Sequence, residues 1–146
     1  MNPTVLLVNL VTTWLMVGIV TYVQFVHYPM FRHWPRERFG EIEREHQRRT
    51  SWVVMPLMLA ELTTTILLLL VNSTDDRVLV ATGCLAFIWL LTFGMMVPLH
   101  ERLAKSGFAE ETHRALLNGN AVRSVAWWTR GLLVCWLIAD PKIISL

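Results

Sequence analysis

The chain has 146 residues, a length suited to one domain. Its apolar share is 54 % and its charged share 16 %, against the ~25 % charge usual in soluble domains. This composition excludes a disordered chain and argues against an ordinary soluble one. The placement of charge says more than its amount. Of the 13 Lys and Arg, six fall in 31–51 and four in 100–123, and of the 11 acids only Glu61 lies inside a long apolar run. Apolar blocks separated by charged segments are the pattern of a membrane protein.

A bilayer core about 30 Å thick needs roughly 20 apolar residues of helix. Four segments meet this, about 4–25, 52–71, 78–99 and 121–139. Backbone polar groups inside lipid must be satisfied within the segment, so the spans are helices. The first lacks a basic leading region and its apolar stretch is too long for a cleaved signal peptide. The predicted fold is all-α: an integral membrane four-helix bundle, one domain over 1–146, with a long second helix that extends into the cytoplasm. Four spans put both termini on one side. The long segments 26–51 and 100–123 together hold ten Lys and Arg; the other side has Arg77 and Lys142, and Arg130 falls inside span four. The positive-inside rule then places the long loops in the cytoplasm and both termini outside, as in a bacterial inner membrane.

In the first loop, Pro29 is expected to end or kink the first helix, and Pro35 suits a first helical position. From Arg36 a helix is expected to run into the second span. Glu41 with Arg44, and Glu45 with Arg48 and Arg49, have the spacing of helical ion pairs. Trp34, Trp52, Trp127 and Trp128 fall near the cytoplasmic boundary, Trp136 near the outer one, and Trp14 and Trp89 near mid-span. Cys84 and Cys135 lie about 8–9 Å from the outer boundary and read as reduced thiols acting as small apolar side chains. There is no internal repeat, no phosphate-binding glycine loop and no nucleophile elbow. The basic segments are interleaved with acids beside a membrane, so nucleic acid is not an expected partner.

His27, His46 and His100 come from three segments, yet all lie at the cytoplasmic ends of spans one to three. A compact bundle brings those ends together. Glu43 precedes His46 by three residues, and Glu110 stands in the same relation to His113. Glu-x-x-His is the spacing by which helical bundles offer a carboxylate and an imidazole to one metal. The cluster is therefore a candidate site for a transition metal (Fe, Cu or Zn) or a haem, held by His27, His46 and His100 with Glu43 as a further ligand. Otherwise these are interfacial histidines bonded to carbonyls and water. His33 reads as an exposed loop residue.

Glu61 lies about nine residues past Trp52, so about 13–14 Å deep. A carboxylate there costs at least ~2.5–3.5 kcal/mol, so it should face the bundle interior. It is either a catalytic, proton-handling group or helix glue bonded to Thr12, Thr13 or Thr64. Trp14 and Trp89 share its depth and could wall a flat apolar ligand against it. Glu61 and His46 are about 22 Å apart along a helix and cannot share a metal. In span four, Asn120, Arg123, Trp127 and Arg130 form one stripe. Arg123 either snorkels to the interface or orients an anionic or phenolic substrate edge. Arg130 can pair with a carboxylate or an anionic ligand group.

Val97-Pro98-Leu99 at the end of span three, with Asn120-x-Val122-Arg123-Ser124 opening span four, resembles small four-helix membrane proteins of the anthrone-oxygenase-like family. Related bacterial membrane proteins carry a turn like His27-Tyr28-Pro29 after span one and a charged helix like Arg48-Arg49-Thr50-Ser51-Trp52 before span two. The resemblance implies a four-helix bundle and, for a few members, oxidation of a polycyclic phenol without an obvious organic cofactor. It places Asn120 and Arg123 in the family's span-four pattern. His100 stands where that branch usually has Asn, and Ala121 where it often has His.

Two functions follow from the residues. The first is a metal- or haem-dependent oxidoreductase acting on an apolar, lipid-soluble substrate, with Glu61 and Arg123 catalytic and Trp14, Trp89 and Asn120 around the cofactor or ligand. The second is a non-catalytic subunit of a larger membrane complex or a homo-oligomer. A dimeric transporter built around the intramembrane acid is a third possibility.

Overall fold

A computed structural model describes residues 2–139; Lys142, counted above on the outer side, lies outside them. Among the described residues every regular element is helical. The chain opens with α1 (Pro3–Tyr22), a π-helical turn (Val23–His27) and the short α2 (Tyr28–Met30), which a 3₁₀ turn (Phe31–His33) closes. Trp34 and Pro35 are extended, and a 3₁₀ turn (Arg36–Arg38) leads into α3 (Phe39–Val71). Then come α4 (Asp76–Leu91), a second π turn (Thr92–Met96), α5 (Val97–Ser106) and α6 (Glu110–Ile138).

Local sequence explains the boundaries. Asn2 accepts a hydrogen bond from the Thr4 amide and Pro3 opens α1, where a missing N–H costs nothing. Asp75 caps α4 through the Arg77 amide. Gly107 ends α5 at φ +78°, a conformation glycine adopts without a Cβ penalty. Pro29 does not end the first helix. The π turns at 23–27 and 92–96 sit just ahead of Pro29 and Pro98. Proline removes an N–H and crowds the carbonyl four residues back; one wider turn relieves both and lets the rod continue. α3 likewise runs on through Pro56.

The pairing of residues fixes the topology. Asn9 meets Thr64 and Thr65, Thr13 meets Glu61, and His27 meets His46, so α1 and α3 are antiparallel. His100 meets Glu43 while Arg130 reaches Ala81 and Thr65, so the α4–α5 rod runs against both α3 and α6. The result is an up-down-up-down bundle of four rods. Its core has three layers: Tyr28, Phe31, Phe39, Leu103 and Leu116 at the loop end; Met16, Val20, Met58, Ile88 and Trp127 in the middle; Leu6, Leu68, Val78 and Leu137 at the far end.

Three helical rods, Pro3–His33, Arg36–Val71 and Asp76–Ser106, are long and apolar enough to cross a membrane. Their outer faces carry Leu15, Phe25, Ile66, Leu70, Leu90 and Phe93 exposed, which fits an integral membrane protein. The predicted fourth span, 121–139, is not among them. Arg123 and Arg130 lower its hydropathy, and Arg130 is turned into the bundle. On α3, Glu45 pairs with Arg48 and Arg49 as its spacing suggests. Glu41 pairs with Arg38 rather than Arg44, because Arg44 donates to the Ala104 carbonyl at the C-terminal end of α5.

That contact brings α3 and α5 close at Gly40, where an added Cβ would stand 2.6 Å from the Ala104 oxygen. Gly40→Ala is therefore expected to destabilise the fold by about 1–3 kcal/mol through overpacking, read as a lowered unfolding midpoint in detergent. Gly18→Ala, with open space around its Cα, is the control and should lower it far less.

Candidate functional site

Toward the loop end the bundle forms a partly open cavity of about 200 Å³. Met16, Val20, Val23, Val54, Met58 and Met96 give it apolar walls, and Tyr28, His46, Gln47, Thr50, His100 and Arg123 give it polar groups. Apolar walls with a few convergent polar groups are the usual make-up of a small-molecule site. The two π turns flank it: one carries His27 and leads to Tyr28, and the other precedes His100 by a turn. Turns of this kind recur at functional sites because they re-aim side chains.

The best-formed unit is a chain of three side chains from three rods. The Glu43 carboxylate accepts from His100 Nδ1 at 2.5 Å, and the Tyr28 hydroxyl lies 2.7 Å from His100 Nε2. Glu43 is fully buried on α3 and His100 is 12 % exposed. A carboxylate on Nδ1 fixes the tautomer, so Nε2 accepts the proton of the Tyr28 hydroxyl. Gln47 braces the pair, donating to Glu43 Oε1 (3.3 Å) and to the His100 carbonyl (3.1 Å). His113 donates to the Tyr28 carbonyl at 2.8 Å, so α6 holds the turn that presents the tyrosine. Arg32 on the loop bonds Glu110 at the start of α6 and holds that carboxyl below its ordinary range.

Beside the chain, His27 Nε2 and His46 Nδ1 face each other at 2.9 Å, and Thr50 Oγ1 lies 3.1 Å from the same His46 nitrogen. The His46 and His100 rings are 5.5 Å apart. Arg123 lies against Tyr28 and is held from behind: its Nη2 donates to Asn120 Oδ1, and Asn120 Nδ2 donates to Gln24 Oε1, both at 2.8 Å.

The structure thus brings His27, Glu43, His46, His100, Asn120 and Arg123 to one end. The expectation of a metal gains no support, because no group of three or more His, Cys, Asp or Glu among the described residues is placed to hold one. Both ring nitrogens of His100 already have protein partners, and Glu43 serves His100 rather than a shared ion. Glu110 and His113 diverge to Arg32 and to the Tyr28 carbonyl. His33 is exposed.

Glu61, Trp14 and Trp89 sit elsewhere. Glu61 is fully buried in mid-bundle, where Oε1 accepts from Thr13 and from Arg130 Nε, both at 2.6 Å. Arg130 also donates to Thr65 and the Ala81 carbonyl. Trp14 packs on Gly131 and donates to Cys135 Sγ. Trp89 packs at a tilt beside Phe93 along an outer groove between α3 and α4. Neither tryptophan faces Glu61 across a ligand space, and Glu61 does not line the cavity. Both cysteines are free thiols. Sequence reasoning passed over Tyr28, Gln47 and Gln24; the His27-Tyr28-Pro29 turn was the signal that marked the first.

The chain matches no protein-family model, no curated protein and no solved structure. The likeness to anthrone-oxygenase-like proteins therefore rests on its short motifs alone.

Glu61 and Arg130 act as an internal lock. Removing one partner of a buried pair strands the other and costs about 3–5 kcal/mol, whereas replacing both with apolar residues is often neutral. Arg130→Met is thus expected to lower the unfolding midpoint in detergent sharply, and Glu61→Leu combined with Arg130→Met to restore most of it. A double variant as unstable as the single one would contradict the assignment.

Proposed function

We propose that this chain is an integral membrane protein whose loop-end cavity binds a small, lipid-soluble molecule with an ionisable hydroxyl, and that the Tyr28–His100–Glu43 chain takes the proton from it as the first half of an oxidation. The long segments 26–51 and 100–123 face the cytoplasm on this reading, because they carry most of the basic residues. α3 then projects from the bilayer into the cytoplasm.

The single observation that carries the reading is that the three-residue chain ends at a cavity. As the substrate hydroxyl gives its proton to the Tyr28 oxygen, the Tyr28 proton passes to His100 Nε2. Glu43 stabilises the imidazolium that forms, as the buried acid does in a hydrolase triad. One electron then passes from the oxyanion to a diffusible oxidant such as dioxygen, which leaves as superoxide; the substrate becomes a phenoxyl-type radical, and the proton stays on His100 until it returns to solvent. A volume of about 200 Å³ suits a head of roughly one ring, since a cavity of ~150 Å³ takes a benzene, and it is small for a haem.

The test is oxygen uptake by detergent-purified protein with 1-naphthol as probe. The unaltered protein should turn the probe over. Glu43→Gln and Tyr28→Phe should each cut the rate by about 10²–10⁴-fold, the usual contribution of general acid–base catalysis. His33→Ala should change nothing. Folded variants that keep the unaltered rate would remove the proton-transfer role.

A further inference from the structure

The structure assigns the cavity a charge preference: it favours the conjugate base of a lipid-soluble acid, whether bound as the anion or formed there by loss of a proton, with the oxyanion on Arg123. This rests on the reading of the cavity as a ligand site, and it is independent of any proton transfer there.

Two arginines of α6, Arg123 and Arg130, are partnered differently. Arg130 has a partner on each of its three nitrogens: a carboxylate, a carbonyl and a hydroxyl. Arg123 is different. Its Nε is buried and has no hydrogen-bond partner, and among the described residues no carboxylate pairs with it. Of the residues lining the cavity, Arg123 carries the only permanent charge; none is Asp or Glu. A half-buried cation with no carboxylate partner is costly, and this one lines a cavity whose walls are mostly apolar. A guanidinium donates well to planar oxyanions, and it stays charged where a lysine would lose its proton.

The side chain is also positioned. Asn120 holds Nη2, and Gln24 and the Val20 carbonyl hold the Asn120 amide. That clamp occupies one end of the guanidinium and leaves Nε unused. Gln47, Thr50 and Ser51 line the same cavity and add neutral donors. The ligand that completes the arrangement has one acidic head and an apolar body. A cation would meet Arg123 as a like charge, and a neutral isostere would leave it unpaired.

The test uses three isosteric probes on detergent-purified protein in a neutral detergent, followed by calorimetry: 4-methylbenzoate, 4-methylbenzyl alcohol and 4-methylbenzylammonium. The benzoate should bind at least tenfold tighter than the alcohol, and the ammonium more weakly than either. Arg123→Gln should abolish the preference for the acid. Arg123→Lys, the variant to use if the glutamine one does not fold, should retain at most a reduced preference, because a buried ammonium holds its proton less firmly than a guanidinium. Asn120→Ala should narrow the gap between acid and alcohol chiefly by weakening acid binding, which marks it as a positioning residue. Equal affinity for acid and alcohol, or a preference that survives in Arg123→Gln, overturns the inference and leaves the cavity as a ligand site. Failure of all three probes to bind overturns the cavity reading and this inference together.

Discussion

A polar side chain buried between apolar helices has no water to turn to, so it must find its partners inside the bundle. This constraint organises the molecule. In the middle layer it is largely met: Arg130 has a partner on each of its three nitrogens, Glu61 Oε1 accepts from it and from Thr13, and Asn9, Thr64 and Thr65 fill in around them, leaving Glu61 Oε2 without a partner. At the loop end the same rule holds only in part. Glu43, His100 and Tyr28 satisfy one another in sequence, yet Glu43 Oε2, His113 Nδ1 and Arg123 Nε remain buried without partners. Of these only Arg123 lines the cavity, and there a ligand can complete the set; the Glu61–Arg130 pair lies away from it and holds structure.

The two prolines give this end its geometry. Each follows a π turn, and the turns lie on the first and third rods, across the bundle from each other beside the same cavity. Without the wider turns, the residues beyond them would be rotated away from their present faces. Tyr28 and His100 come just after these irregular stretches, and the His113 bond to the Tyr28 carbonyl ties the first of them to α6. The irregular backbone is thus part of how the loop end is aimed, while the regular α-helix below it carries the packing.

Depth along a helix was legible in the sequence; direction around it was not. Apolar run lengths located α1, α3 and α4, and boundary positions put His27, His46 and His100 at one level. The fourth helix was harder, because an arginine lowers hydropathy equally whether it faces lipid or, like Arg130, a carboxylate inside. The same limit explains the tryptophans. Trp14 and Trp89 were placed at the depth of Glu61, but one turns toward Gly131 and the other toward an outer groove. Glu43 was read with His46 because they are close on one helix, and its partner turned out to be His100 on another rod. Spacing within a helix cannot report such a contact, since it depends on how two rods are rotated against each other.

The most direct measurement is proton NMR on detergent-solubilised protein labelled with ¹⁵N-histidine. The account expects the His100 Nδ1 proton far downfield and slow to exchange with water, because a buried carboxylate holds it. The signal should vanish in Glu43→Gln and shift when a ligand fills the cavity. A His100 imidazole that exchanges freely with solvent, indifferent to residue 43 and to any ligand, would contradict the account at its centre.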